Sequence, residues 1–353
     1  MAGRTAIGLD IGTSGVRAAE LVFGKSGITL EKFGQVALPA GAVRDGEVID
    51  VATVAEAIKQ LWAHTKFSSK KVVVGVANQK VLVRAVSLPA APLDEIKETL
   101  AYQVTDQIPM AVENALLDFY PLDEAEEGGR QVVRGLLVAA ARDMVTTQLA
   151  AVQQAGLTPH MVDLTAFAVL RSLADNDSLG MGAPLEALID VGARVTNIVL
   201  HQGGVPRFVR ILQMGGQDVT DAVADRTGSS QAEAEELKRE LGMSAHGADP
   251  DQMAAGRVME AAGKAFAEQV RGSLDFYAAS PGGQQVDRIV LTGGGSRLGG
   301  LAEALQEVNR VEVTRGHAFS DLTLGRTGLT PEQVQFVEPA ASVPVGLALG
   351  GVA

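Results

Sequence analysis

Two short stretches of this chain are built from residues that could do chemistry together. Residues 6–21, AIGLDIGTSGVRAAEL, run an apolar strand into one acid, Asp10, turn on Gly12, Thr13, Ser14 and Gly15, and resume as a second strand carrying Arg17. Residues 187–200, ALIDVGARVTNIVL, repeat the pattern about half a chain later: apolar strand, Asp190, a hydrophobic residue, Gly192, a short polar turn, a second strand. Glycines in such turns let backbone N–H groups come close to phosphate oxygens. A carboxylate beside them repels phosphate, but it can hold Mg2+ through water between itself and the phosphates. Face to face, the two hairpins suit a nucleotide phosphate tail. Asp10 and Asp190 would stand on the metal side, with Gly12, Thr13, Ser14, Gly15 and Gly192 around the phosphates. Arg17 could point its guanidinium at the β- or γ-phosphate. Taken singly, each aspartate also fits an ordinary hairpin turn, where Asp and Gly are common.

Neither turn carries the G-x-x-x-x-G-K-[ST] loop or a dinucleotide fingerprint. A third element, IVLTGGGSRLGGL (residues 289–301), places Gly293, Gly294 and Gly295 between a strand and a helix. There the backbone could pass close to a flat or charged ligand at a helix N-terminus. A fourth, AEAEELKREL (residues 232–241), sets Glu235 and Lys238 three apart, so on one helix face, able to reach a ribose hydroxyl and a base edge. Read alone, the third is a tight connection and the fourth a solvated helix face. As an ordered set, the four favour a nucleotide site.

These turns need a scaffold, and 353 residues suggest about two domains. Hydrophobic residues at 46% and charged residues at 20% leave ample material for more than one core. The net charge of -12 opposes attachment to nucleic acid or anionic lipid, and no Lys/Arg-rich block overrides it. With no cysteine, disulfides and thiolate metal sites are excluded, and His64, His160, His201, His246 and His317 lack ligand spacing. The opening MAGRTAIGLDIG meets an acid too early for a signal-peptide core, and no apolar run approaches the roughly 18 residues of a spanning helix. A cytoplasmic protein is expected.

Strand and helix patterns alternate throughout, an α/β class. Residues 6–11 and 16–23 read as a hairpin, followed by a strand in ITLEKFGQVAL and a helix N-capped by Asp50. A helix is expected from Pro92 to Pro109, and DEAEEGGR reads as an exposed acidic loop between two strands. Another helix closes on Gly156. These readings divide the chain into a first domain over 1–183, with an inserted subdomain at about 71–156, and a second over 184–337, with a helical subdomain at about 217–284. A terminal helix over 338–353 returns to the first domain.

In this order the four motifs resemble the actin-like ATPase superfamily, whose duplicated domains enclose ATP. The resemblance implies ATP and Mg2+ as ligands, with Asp10 and Asp190 near the metal, Gly12, Thr13, Ser14 and Gly192 at the phosphates, Gly293, Gly294 and Gly295 at adenosine, and Glu235 and Lys238 behind them. By similarity to the chaperone ATPases, Asp163 in VDLTAFAVL could orient the attacking water. A helix N-cap is its other reading.

Within the superfamily nearly the whole chain resembles the PilM family of type IV pilus assembly, a relative of FtsA. The matching stretches are GLDIGTSGVRAAEL, the block from VRAVSLP to DFYPL, VVRGLLVAAARDMV through AGL, and the closing VPVGLALGG. Arg17 stands where the family more often has lysine. The resemblance implies an ATP-binding adaptor that captures the cytoplasmic N-terminal tail of the membrane protein PilN, together with other platform proteins. Weak ATPase activity is compatible with it. Unlike FtsA, the sequence shows no basic amphipathic tail after GLALGGVA, so the chain is expected at the inner face of the cytoplasmic membrane through a protein partner, without inserting itself. A small-molecule kinase and an FtsA-like filament protein are the alternatives on the same core.

Overall fold

The computed structural model describes residues 4–174, 182–243 and 250–352, and His246 lies outside them. The chain opens with β1 (Arg4–Ile11), β2 (Gly15–Gly24) and β3 (Gly27–Ala37), an antiparallel meander that sets Asp10 opposite Arg17. A small hairpin follows, β4 (Val43–Arg44) and β5 (Glu47–Val48), turned by Asp45 and Gly46, both at positive φ. Helix α1 (Val51–Thr65) starts on Asp50, whose side chain accepts from the Thr53 N–H at 3.0 Å, the expected N-cap. β6 (Lys71–Val76) then pairs parallel to β1.

β7 (Val81–Pro89), α2 (Leu93–Gln103), β8 (Ala115–Glu127) and β9 (Arg130–Ala141) build a separate three-stranded sheet, ordered β7-β9-β8, with α2 on β8. Its own core holds Leu88, Ile96, Leu100, Phe119 and Leu137. Two expectations change here. The acidic stretch is strand rather than loop: β8 runs on to Glu127, and the turn is only Gly128-Gly129, both at positive φ. Two such glycines satisfy a tight hairpin turn by themselves, so the acids stay in the ladder with exposed side chains, and Asp123 pairs with Arg134 at 2.6 Å. The helix from Pro92 ends at Gln103, because Val104 leaves helical dihedrals (φ -113, ψ 9) while its side chain enters the core.

The chain leaves the small sheet through α3 (Arg142–Gln154), β10 (Thr158–Leu164) and α4 (Thr165–Leu173). β10 pairs parallel to β6, and α3 packs on α1. Thus residues 71–76 and 142–154 of the block 71–156 lie with the first sheet, and the separate sheet spans 81–141.

The second half repeats the opening. β11 (Leu185–Val191), β12 (Thr196–Gln202) and β13 (Val205–Leu212) form a second meander, setting Asp190 opposite Asn197. All seven residues of β11 are buried, as a strand covered on both faces requires. Helices α5 (Gly216–Thr227), α6 (Gln231–Leu241) and α7 (Pro250–Ala278) come next. β14 (Arg288–Thr292), α8 (Leu301–Asn309) and β15 (Glu312–Arg315) complete a five-stranded sheet, ordered β13-β12-β11-β14-β15.

β16 (Leu322–Leu324) returns to β3 and completes the six-stranded first sheet, β10-β6-β1-β2-β3-β16. Helix α9 (Pro331–Gly350) packs on β1, β2 and α4; it begins earlier than expected, on a Thr330 cap with Pro331 at its first position. One apolar cluster joins both halves, with Val73, Ala166 and Val169 meeting Leu188, Val199 and Val290. That shared core fixes the two hairpin turns opposite one another.

Candidate functional site

The two hairpins, the glycine loop after β14 and the helices α5, α6 and α9 enclose a cavity of about 570 Å³. That falls within the size of small-molecule and cofactor sites. Its walls include Asp10, Gly12, Thr13, Ser14, Gly15, Arg17, Asp190, Gly192, Glu235, Lys238, Gly293, Gly294 and Gly295. These are all thirteen of the binding and metal positions expected from the two turns, the glycine loop and α6.

Each hairpin turn is closed by its own backbone. The Gly12 N–H donates to the Gly15 carbonyl at 3.0 Å, and the Gly192 N–H to the Val195 carbonyl at 2.9 Å. The second turn is also stapled to the start of α5: Gly216 N–H donates to Gly192 at 3.0 Å and Gln217 N–H to Ala193 at 2.7 Å. Gly215 has no room for a side chain there, since a Cβ would lie 2.4 Å from the Gly192 oxygen. The N-terminus of α5 is thereby delivered to the cavity, where Gly216 and Gln217 form part of the wall. Its first N–H groups are spent on the second turn, but the helix dipole still favours an anion at that position.

The opposed aspartates keep different company. Asp10 faces Arg17, whose Nη1 lies 3.5 Å from Oδ2 while Nη2 donates to the Ser14 hydroxyl at 3.4 Å. Asp190 accepts from Asn197 Nδ2 at 3.0 Å. Burial raises both carboxyls above their ordinary value, with Arg17 pulling the Asp10 value back. Asp190 is pushed up to about 6, chiefly by burial and further by the like charge of Asp10. Two carboxyls that resist ionisation across a narrow cleft are poised to ionise when a cation arrives.

The cavity wall carries four cationic side chains, Arg17, Lys238, Arg239 and Arg297, against the acids Asp10, Asp190 and Glu235. A locally positive cleft in a chain of charge -12 selects for an anion. Arg17 Nε and Asn197 Oδ1 are buried without hydrogen-bond partners, both on wall residues. Unpaired buried polar atoms are costly, and a polar ligand would satisfy them. Among the described residues no three His, Asp or Glu are grouped to hold a metal ion. The aspartate pair therefore fits a metal that arrives with phosphate rather than one caged by protein alone.

At the opposite end, Lys238 is held by the Gly216 carbonyl at 2.8 Å, the Thr220 hydroxyl at 2.9 Å and Glu235 at 2.6 Å. The three glycines after β14 have three separate reasons. Gly293 is at φ +86, and a Cβ there would lie 2.4 Å from the Val191 oxygen. A Cβ on Gly295 would lie 2.7 Å from Val191 Cγ1, whereas one on Gly294 would meet nothing within 4 Å. Gly294 faces open cavity.

Helix α9 was not expected in the site. Phe336, Ala340 and Val343 line it, the Pro339 carbonyl accepts from the Gly293 N–H at 2.8 Å, and Arg297 stacks 4.0 Å over the Phe336 ring. Gln148 and Thr165 also reach the wall, and Gln148 Nε2 donates to the Gly75 carbonyl at 2.7 Å. A buried glutamine on an otherwise ordinary amphipathic helix is the faint signal that sequence offered. Asp163 is not brought to the cavity. It lies in β10, its carboxylate turned to Arg171, which also donates to the Gly346 carbonyl of α9 at 3.0 Å. Nor does it cap α4, which starts after Leu164 without a side-chain cap. The residue ties β10 to α4 and α9.

The family model described as type IV pilus assembly protein PilM matches residues 8–352. A solved structure described as a PilM-PilN type IV pilus biogenesis complex superposes with a TM-score of 0.86 at 29% identity, covering 99% of this chain and 98% of that one. The cell division protein FtsA of Bacillus subtilis is 24% identical over 351 residues, 87% of this chain and 78% of that protein. MreB5 of Spiroplasma citri, solved with ADP, shares the fold at a TM-score of 0.55 and 11% identity, over 98% of this chain and 95% of that one. The fold is the actin-like one. Among the described residues, no helix is long and apolar enough to cross a membrane.

Proposed function

The chain belongs to the PilM family of type IV pilus assembly proteins, and on that footing we propose that it is an ATP-binding adaptor that docks the cytoplasmic N-terminal tail of PilN. The observation that carries this reading is the end-to-end match to the chain solved in a PilM-PilN complex, joined to a positively lined cleft between two hairpin turns. The nucleotide would lie with its phosphates between Gly12–Gly15 and Gly192 and its base toward Glu235, Lys238 and Gly293–Gly295. Asp10 and Asp190 would hold Mg2+, which would supply the positive charge that offsets phosphate against carboxylate.

We assign the inserted subdomain to about 81–141 and the tail's dock to the groove between it and the first sheet. The chain would work in the cytoplasm, reaching the membrane's inner face through PilN. Around the cavity Gln148 and Thr165 are neutral, and Asp163 is engaged by Arg171. Occupancy would bias the angle between the halves only as far as the nucleotide binds one arrangement more tightly.

The test is fluorescence anisotropy of a labelled peptide spanning PilN's cytoplasmic tail, titrated with the full chain. Saturable one-to-one binding in the micromolar range or tighter is expected. No rise in anisotropy up to about 100 μM chain, roughly -5.5 kcal/mol on the affinity scale, would overturn the docking assignment.

A further inference from the structure

The turn Asp45-Gly46 sits where three parts of the molecule meet. One is the strand crossing into the small sheet at Ala77-Asn78, the second is the return from it at Ala141–Asp143, and the third is the second hairpin turn. We propose that this turn is the lever by which nucleotide at the second hairpin sets the position of the inserted sheet. The proposal rests on the adaptor reading above and names how its dock would be regulated.

The lever is stiff. β4 and β5 are joined by two residues at positive φ, 51° for Asp45 and 82° for Gly46, a turn with little freedom. Gly46 is pressed against the crossing strand, where a Cβ would lie 2.1 Å from the Ala77 oxygen, and it stands next to Val195 of the second turn, whose Cγ2 that Cβ would meet at 3.4 Å. Any larger residue would have to displace the crossing strand's backbone.

The two sides of the contact differ in kind. Toward the insert it is polar and bonded. Buried Asn78 donates from Nδ2 to the Asp45 carbonyl, and its Oδ1 accepts from the Lys80 N–H at 2.8 Å. Lys80 pairs with Glu47 at 2.9 Å and lies 4.0 Å from Asp143 in the first turn of α3, just after the returning strand. The Ala141 N–H donates to the Lys80 carbonyl at 3.1 Å, tying the two crossings together. Toward the second half Gly46 faces the apolar Val195 side chain, whose Cγ2 would lie 3.4 Å from a Cβ built on the glycine. Val195 is also the residue whose carbonyl closes the second turn on Gly192.

A hairpin bonded to the insert and merely touching the second turn moves with the first and senses the second. Gly46, Ala77 and Val195 all line the cavity, so phosphate that draws the Gly192 turn inward presses on the hairpin directly. The bonded side then carries the displacement to both chain crossings, which lie at one end of the small sheet. Coupling of this sort is a free energy shared by two ligands and works equally in both directions.

The test is the ratio of PilN-tail dissociation constants without and with Mg-ATP, measured on the full chain. The parent is expected to show a ratio differing from one by about fivefold or more. Asn78→Asp keeps the acceptor for the Lys80 N–H but removes the donor to Asp45, and its ratio is expected within twofold of one. Because a buried carboxylate can unfold the junction, the double variant Lys80→Met, Glu47→Gln is measured beside it, with the same expectation. The charge-swapped pair Lys80→Glu, Glu47→Lys is expected to recover the parent's ratio. A mere loss of stability would lower both affinities and leave the ratio unchanged.

Folded variants that keep the parent's ratio would overturn the lever, as would a parent whose ratio is one. A parent that fails to bind the tail or the nucleotide at all would overturn the adaptor reading itself.

Discussion

Gly294→Leu is expected to weaken ATP binding by at least 100-fold while leaving the melting temperature nearly unchanged. The reason is geometric. Gly293, Gly294 and Gly295 are consecutive, yet only the middle one faces open cavity, with nothing within 4 Å of a Cβ placed on it. A Cβ there costs the empty protein no clash and the rest of a leucine can extend into the cavity, and surface changes free of such features usually stay within about 0.5 kcal/mol. The same side chain occupies the room the nucleoside would take, and a 100-fold loss corresponds to about 2.7 kcal/mol. Gly293→Ala supplies the contrast. Its Cβ would lie 2.4 Å from the Val191 oxygen and 2.6 Å from Asp190 Oδ1, at φ +86, so it should lower stability as well as affinity. Calorimetric titration with ATP, paired with thermal unfolding, separates the two. Undiminished ATP binding by Gly294→Leu would remove the base from this loop.

The second large effect has opposite signs in the empty and loaded protein. Asp190→Asn is expected to stabilise the empty chain by about 1–2 kcal/mol at pH 8 and to weaken Mg-ATP binding by about 10- to 100-fold. The folded Asp190 carboxyl is raised to about 6, so the folded chain binds this proton more tightly than the unfolded one. The stability it contributes is therefore complete below the ordinary value of 3.8 and is lost as pH rises through about 6. The two-unit difference bounds that loss at about 3 kcal/mol, and the amide recovers part of it because it never ionises. Asn197 can go on donating to the new amide oxygen, and its unpartnered Oδ1 becomes a possible acceptor for the new amide N–H. Loaded with Mg-ATP, the carboxylate is wanted and the advantage reverses, a trade of stability for function. Urea unfolding at pH 4.5 and pH 8, with and without Mg-ATP, reads both signs. A destabilised empty variant at pH 8 would contradict the strained-carboxylate account.

Much of this was legible in the sequence because it is local. The hairpins are spelled out by strand, Asp, Gly and strand, the Asp50 cap by its position, and the glycine loop by its composition. Repetition did what no single motif could: Asp10 alone is a turn residue, but Asp10 and Asp190 in matching frames imply matching strands. The paired partners Arg17 and Asn197 follow from that register, though only Arg17 announced itself by charge. What stayed hidden is what depends on chain segments far apart. The approach of α9 to the glycine loop joins Pro339 to Gly293, and no local pattern in either segment records it. Gln148 and Thr165 enter the wall only because β6, α3 and α4 converge there. Asp163 shows the limit from the other side. Similarity to the chaperone ATPases suggested a water-orienting acid and its place before a helix suggested an N-cap, whereas the fold turns it to Arg171, eight residues on in α4. The acidic hairpin misled for a simpler reason: Gly128-Gly129 makes so tight a turn that the charges before it remain in strand.

Everything in this account turns on whether the cleft takes a nucleotide against its two strained carboxyls. Calorimetric titration of Mg-ATP into the full chain at pH 6, in two buffers of different ionisation enthalpy, addresses that directly. One-to-one binding is expected, with release of about half a proton as the Asp190 carboxyl, raised to about 6, is driven to its ionised form. No binding at millimolar Mg-ATP, or binding with no proton released, would contradict a site in which paired aspartates meet metal and phosphate.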